Sequence, residues 1–286
     1  MKIDLHCHTT LSDGSLGIEE IISLAKRSSL DCIAITDHDC LASLSRSHVL
    51  GQRYGVKVIP AVEFSAYDGK RNTKAHIICY LPRKPDRLEG LCIRTSEARK
   101  VRGKAMAMKV VEKYDILFDH VLKHASGSKA IYKCHIMHAL MDYGYTTQMY
   151  GDLYKEIFQA ADGLCAAEVS READEYPEVR FVLQLIHSAG GVAVLAHPKV
   201  YNNLELLEEL AQNGDIEGVE VWHQSASPEY EKTLLEIAGK HKLITTGGSD
   251  FHGIYNHSPK PLGSSTTPPA SLAAIQSFVH KKSVSV

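Results

Sequence analysis

Residues of metal-binding type close one apolar run after another along this chain. It opens with Asp4-Leu5-His6-Cys7-His8 and carries Ser249-Asp250-Phe251-His252 near its other end. Between them, the run from Cys32 ends at Thr36-Asp37-His38, the run from Val58 ends at Glu63, His76 leads Ile77-Ile78, and the run from Val192 ends at Ala196-His197-Pro198. Side chains alternate between faces along a strand, so His6 and His8 point the same way, and the same alternation pairs Asp250 with His252. A single buried histidine is commonly just a hydrogen-bonded core residue. The joint pattern is different, because the carboxyl edge of the strands is where barrels and doubly wound sheets build their sites. The chain is therefore constrained to an α/β fold whose strands converge on one metal cluster.

Strand-like and helical patterns alternate through the first eighty or so residues. Apolar residues at Ile18, Ile21, Ile22 and Ala25 mark one helical face after the Asp13-Gly14-Ser15 turn, and a second helix is expected from about Leu41 to Tyr54. Such βαβα order implies parallel strands with crossover helices. From 84 to 168 the rhythm gives way to helices alone. One helical row there carries Val101, Ala105, Met108 and Glu112, while Arg99, Arg102, Lys104, Lys109 and Lys113 occupy others. The alternation returns with a helix around Phe181–Ile186 and strands at 192–197, 216–222 and 243–248, which brings the strand count to seven. The expected organisation is a barrel in two parts, 1–83 and 169–286, interrupted by an inserted helical subdomain at 84–168. The Ser/Thr/Pro-rich stretch from Ser264 to Ser271 reads as loop.

With 286 residues the chain can bury a full core without disulfides. Its net charge of −2 argues against holding long nucleic acid by bulk electrostatics, so an anionic ligand must be met locally. The cysteines, at 7, 32, 40, 79, 92, 134 and 165, are odd in number and contain no Cys-x-x-Cys pair, which points to reduced thiols and a cytoplasmic protein. Met1 leads directly into the first strand, and no apolar run approaches membrane-spanning length. No membrane association and no obligate protein partner are expected.

The motifs His6-x-His8, Asp13, Thr36-Asp37-His38, Glu63, His76, Ala196-His197-Pro198 and Ser249-Asp250-Phe251-His252 resemble those of the PHP (polymerase and histidinol phosphatase) family of metal-dependent phosphoesterases. The resemblance runs from residue 2 to about residue 252, with all nine ligand positions filled in order. It implies a distorted (β/α)7 barrel, in agreement with the strand count. It also implies how the ligands divide: His6, His8 and Asp250 with a shared Glu63 on one ion, Glu63 with His76 and His197 on a second, and Asp13, His38 and His252 on a third. Glu63, Asp250 and His252 are the positions it marks for catalysis.

Six imidazoles and three carboxylates suit zinc, manganese or iron better than calcium, and two to three divalent ions are expected. Three ions would bring about +6 against −3 from the carboxylates, leaving roughly +3, a site that attracts phosphate. Asp37 is read as a carboxylate that orients an imidazole. The segment Lys133-Cys134-His135 resembles an Arg-Pro-His segment that contacts substrate phosphate in the nucleotide-phosphatase branch, which makes Lys133 and His135 candidate substrate contacts; lysine keeps the charge but not the bidentate geometry. Arg99 and Arg102, at i and i+3, share a helix face that is either a solvated basic surface or a phosphate grip. His223 ends a strand outside the family pattern, in a supporting or merely polar role, and His257 reads as a loop residue. Asp162-Gly163-Leu164-Cys165 stands where relatives show a Gly-Gly-Pro segment, a departure that bears on substrate rather than on metal.

The leading expectation is a phosphatase acting on a small phosphorylated metabolite, a nucleotide such as a 3′,5′-bisphosphate. A 5′→3′ exoribonuclease on short RNA, a histidinol-phosphate phosphatase and a structural metal-binding module are the alternatives.

Overall fold

A computed structural model describes residues 1–258 and 260–284. The first part runs β1 (Ile3–Cys7), α1 (Ile18–Arg27), β2 (Cys32–Ile35), α2 (Ser43–Tyr54), β3 (Lys57–Asp68) and β4 (Thr73–Tyr80). Helices α3 (Asp86–Tyr114), α4 (Phe118–His124), α5 (Lys133–Asp142), α6 (Asp152–Phe158), α7 (Ala166–Ser170) and α8 (Glu172–Glu175) follow. The alternation resumes with α9 (Val179–Ser188), β5 (Val192–Leu195), α10 (Leu204–Asn213), β6 (Gly218–Trp222), α11 (Pro228–His241), β7 (Ile244–Gly247) and α12 (Pro269–Val284).

The seven strands form one sheet in sequence order, β1 to β7. It curls until Cys7 bridges Phe251 and the His8 amide donates to the Phe251 carbonyl at 2.9 Å, which nearly closes the distorted barrel expected from the sequence. The buried Asp4 carboxylate fastens this seam by accepting from the amides of Ser249 and Gly263. Gly248 is required here: a Cβ at that position would overlap the Cβ and backbone nitrogen of His6.

One strand departs from the expected order. β4 is antiparallel to both β3 and β5. Only Gly69–Asn72 separates β3 from β4, too short a connection for the crossover that parallel strands need, so the pair is a hairpin. The long β3 pairs with β2 as far as Pro60 and with β4 from Ala61 onward, which carries Glu63 past the end of β2 into the barrel mouth.

The helices between β4 and β5 have an apolar core of their own, including Met106, Val110, Val121, Ile136, Leu140, Ile157 and Phe158. The start of α3 packs instead on the barrel, where Leu88, Leu91 and Cys92 join the core formed with α9 and α10. Along α3 the row holding Val101 and Met108 faces solvent, at 58% and 48% exposure, while Arg99 and Arg102 are buried. The solvated basic face is thus excluded for these two arginines. The stretch from Ser264 is loop only as far as Pro268, because α12 begins with Pro269 at its first turn. Among the described residues, no helix is long and apolar enough to cross a membrane.

Candidate metal centre and anion pocket

The strand ends bring all nine predicted ligands to one place around Glu63, which is fully buried. His6 Nε2 and His8 Nε2 lie 3.3 and 3.2 Å from Glu63 Oε2, and the same two atoms lie 3.3 and 3.2 Å from Asp250 Oδ1. His38 Nδ1 approaches Glu63 Oε2 at 3.2 Å, while His76 Nδ1 and His197 Nε2 sit 3.1 and 3.0 Å from Oε1. Asp13 forms the outer corner, with His252 Nε2 at 3.4 Å, His8 Nδ1 at 3.6 Å and His38 Nε2 at 3.7 Å.

Two ligand positions owe their aim to unusual backbone. Asp250 and His197 both have positive φ, at 49° and 25°, conformations that cost energy for residues with a Cβ. β7 ends at Gly247, so strand alternation does not govern Asp250 and His252. Asp250 turns inward to His6 and His8, and His252 reaches Asp13 instead.

The donor set fits divalent cations. Five imidazole nitrogens converge on the two oxygens of one carboxylate, and His8 Nδ1, His38 Nδ1, Asp13 Oδ1 and Glu63 Oε2 are buried without a hydrogen-bond partner. Buried polar atoms left in that state cost about 1–3 kcal/mol each. Nitrogen-to-oxygen spacings of 3.0 to 3.7 Å suit ligands of a common ion, since tetrahedral bonds of about 2.0–2.2 Å set neighbouring donors roughly 3.4 Å apart. Four groupings lie within reach of an ion each: His6, His8 and Glu63; His6, His197 and Asp250; His38, Glu63 and His76; and His8, Asp13, His38 and His252.

The donors shift one another's charge: against burial, the neighbouring carboxylates, Glu63 and Asp250 among them, raise His6, His8 and His197. Burial would raise the Glu63 carboxyl, but His6, His38 and His76 hold it well below its usual range. Asp13, opposed likewise by burial, is held low by His38 and His252. Burial pushes His38 and His76 down, against the pull of the same carboxylates.

A residue that the sequence reading missed fixes the ring at the centre. Glu220 Oε1 lies 2.9 Å from His6 Nδ1, and Oε2 accepts from the His197 amide at 2.9 Å. With its proton on Nδ1, His6 presents the Nε2 lone pair to the cluster. The signal was a lone acid inside the apolar strand Gly218–Trp222, but its partner is visible only in three dimensions. The Asp250 carbonyl plays the same part for His252, 2.8 Å from its Nδ1. Replacing Glu220 with glutamine should therefore weaken metal binding about 10- to 100-fold; metal titration of E220Q that matches wild type would refute this role.

Asp37 does not orient an imidazole through its hydrogen bonds. It accepts from the Thr9 amide and hydroxyl at 2.7 and 2.8 Å and from Ser12 Oγ at 2.7 Å, and so holds the loop that carries Asp13. His223 touches the cluster from outside, its Nε2 3.2 Å from Asp250 Oδ2. His257 lies in a loop and stacks on Tyr150 with ring centroids 3.7 Å apart.

Beside the cluster lies a cavity of about 210 Å³ that shares Asp13, His38 and His76 with it and is walled by Lys74, Arg99, Arg102 and Lys133. Three of these cations gather on one buried carboxylate: Glu172 has Lys74 at 2.8 Å, Lys133 at 3.3 Å and Arg102 at 3.7 Å. Burial would raise Glu172, and Lys133 and Lys74 pull it down to about 2. Tyr132, Tyr176 and Tyr201 stand in the same wall. His135 is not among the lining residues; it is buried behind Tyr132, with Nδ1 accepting from the Tyr132 amide at 3.1 Å and burial pushing its pKa down to about 4. A second lobe of about 410 Å³ opens on the other side of the cluster between His197, His223, Gln224, Ser225 and Tyr255.

A PHP domain matches residues 4–212 of this sequence. The chain belongs to the PHP family. Among its PHP relatives is a phosphoribosyl 1,2-cyclic phosphate 1,2-diphosphodiesterase of Eggerthella lenta, 33% identical over 90% of this chain and 96% of that protein. A 3′,5′-nucleoside bisphosphate phosphatase of Chromobacterium violaceum is 27% identical over 88% and 87% of the two chains. A 5′-3′ exoribonuclease, Rnm, of Salmonella typhimurium is 30% identical over 87% and 84%. In structure, the chain is similar to a protein from Bifidobacterium adolescentis assigned to the metal-dependent phosphoesterases, with a TM-score of 0.81, 28% identity and 96% of each chain covered.

Proposed function

We infer that this metal-dependent phosphoesterase acts on a small pentose derivative carrying two phosphate groups, one at the metal cluster and one in the basic cavity. The observation that carries the reading is the convergence of Lys74, Arg102 and Lys133 on a single carboxylate beside the cluster. Cations so arranged around Glu172 already have the geometry of an anion site, and Arg99 lines the same wall. The substrates named for two relatives, a phosphoribosyl cyclic phosphate and a 3′,5′-nucleoside bisphosphate, both place two phosphates on one pentose.

His6, His8, Glu63 and Asp250 would hold one ion, Glu63, His76 and His197 a second, and Asp13, His38 and His252 a third; manganese, zinc and iron all suit the donors. When bound, such ions supply a hydroxide at neutral pH and stabilise charge on the phosphoryl oxygens. The protein supplies the rest. Glu220 and the Asp250 carbonyl lock ring tautomers, and Glu63, Asp250 and His252 hold the centre at three corners. Arg99, Arg102, Lys74 and Lys133 position the second phosphate, leaving the larger lobe for a base or leaving group.

Hydrolysis by manganese-reconstituted protein, read as free phosphate from monoesters, ring-opened monoester from the cyclic diester and mononucleotide from RNA, tests this on adenosine 3′,5′-bisphosphate, phosphoribosyl 1,2-cyclic phosphate, AMP, histidinol phosphate and a 5′-phosphorylated short RNA. The second phosphate, gripped by charge-assisted bonds of about 1.5–3 kcal/mol each, should raise kcat/KM at least ~30-fold over AMP. Equal turnover of AMP and the bisphosphates would overturn the two-phosphate reading, and stepwise release from RNA alone would make the protein an exoribonuclease.

A further inference from the structure

A second group of metal-binding side chains lies on the helical insertion, away from the strand ends. His120 and His124, four residues apart on α4, share one face, and so do His138 and Asp142 on α5. The two faces meet. His120 Nε2 and His124 Nε2 lie 2.8 and 2.9 Å from Asp142 Oδ2, and His138 Nε2 lies 3.8 Å from Asp142 Oδ1. The rings of His124 and His138 are stacked with centroids 3.7 Å apart. None of these four residues belongs to the cluster in the barrel mouth.

We propose that His120, His124 and Asp142, with His138 as the fourth donor, form a separate divalent-metal site that takes zinc and ties α4 to α5. The donor atoms of His120, His124 and Asp142 are close enough to serve one ion. Spacings of 2.8, 2.9 and 3.8 Å bracket the roughly 3.3 Å between neighbouring ligands of a tetrahedral zinc. Three imidazoles and one carboxylate favour zinc over magnesium or calcium, which prefer all-oxygen shells. His138 has one nitrogen already engaged, since its Nδ1 bonds the Tyr255 hydroxyl at 2.9 Å, so Nε2 is the atom left to face Asp142. The helices behind the site are anchored: Val121, Ala125, Ala139 and Leu140 all lie in the insertion's core. Entry is open, because the Asp142 side chain is 38% exposed and that of His120 28% exposed.

An ion here would also bear on the barrel. Tyr255 lies three residues after His252, and its carbonyl accepts from the Tyr150 hydroxyl at 2.7 Å. Holding α5 in place thus holds the wall of the larger lobe, without any of the four ligands touching the catalytic cluster.

The full-length protein is dialysed against zinc, then against metal-free buffer, and its metal content and melting temperature are compared with those of His120→Asn/His124→Asn. The variant should retain one zinc ion fewer per chain and bind that ion at least about 100-fold more weakly, given that even outer partners of a ligand are worth 10–100-fold. Zinc should raise the melting temperature of wild type more than that of the variant. Asp142→Asn, which keeps both α4 histidines, serves as a second variant should the first fold poorly, and the same zinc loss is expected of it. Equal zinc content and an equal zinc-induced melting shift in wild type and either folded variant would overturn the proposal.

Discussion

Glutamine at position 63 should lower kcat for phosphate release by at least about 10³-fold while the barrel stays folded. Glu63 faces five imidazoles, with His6, His8 and His38 toward Oε2 and His76 and His197 toward Oε1. A carboxylate can be shared by two ions because it offers two lone-pair oxygens and a negative charge. Glutamine keeps one oxygen, loses the charge and turns an NH2 toward nitrogens that need to donate electron pairs. Metal stabilisation of transition-state charge is worth several kcal/mol, and about 4 kcal/mol corresponds to 10³ in rate. Shape is preserved, so the change acts on the ions rather than on packing. Kinetics should be read together with metal content and circular dichroism. E63Q that keeps its full metal complement and turns over within tenfold of wild type would remove Glu63 from the centre of the mechanism.

How much of this was visible in the sequence follows from what each residue needs in order to be recognised. The convergence of the nine predicted ligand residues was legible because most of them end apolar runs, and the ends of neighbouring strands are brought together by the sheet itself. Seven strands were legible for the same reason. The antiparallel β4 was not, although the short Gly69–Asn72 link carried the information, because apolar runs do not report direction. Glu220 and Asp37 act through partners distant in sequence, His6 and the Thr9–Ser12 loop, and no spacing rule connects such residues. The face of α3 was obscured by its arginines. The helix buries an apolar row of Leu88, Leu91, Cys92, Met106 and Val110, but Thr95, Arg99 and Arg102 interrupt it, while Val101 and Met108 are exposed. The inward charges are tolerated because each has a partner: Asp39 for Arg99, and Glu172 and Glu175 for Arg102.

Those inward charges make Arg99→Ala a strongly destabilising change. The guanidinium lies 2.9 Å from Asp39 Oδ2 and donates to Ser65 Oγ at 2.7 Å, between the rings of Tyr132 and Tyr176 at 5.1 and 5.7 Å. It links α3 to the loop after β2 and to β3, the strand that bears Glu63. Burial pushes the Asp39 carboxyl up and Arg99 pulls it back, so removing the arginine leaves a buried acid with no compensating cation. Breaking a buried pair from one side costs about 3–5 kcal/mol, whereas replacing both partners by neutral groups costs far less. R99A should therefore lose most of that amount in urea denaturation, and Asp39→Asn in the R99A background should recover part of it. The asparagine oxygen can still accept from the Ser65 amide, as Asp39 Oδ1 does now at 3.2 Å. The recovery concerns stability alone. Arg99 also lines the basic cavity proposed for the second phosphate, so the rescued double variant should still discriminate poorly between AMP and a bisphosphate. A double variant no more stable than R99A would show that the arginine contributes by packing against the two tyrosines rather than by neutralising Asp39.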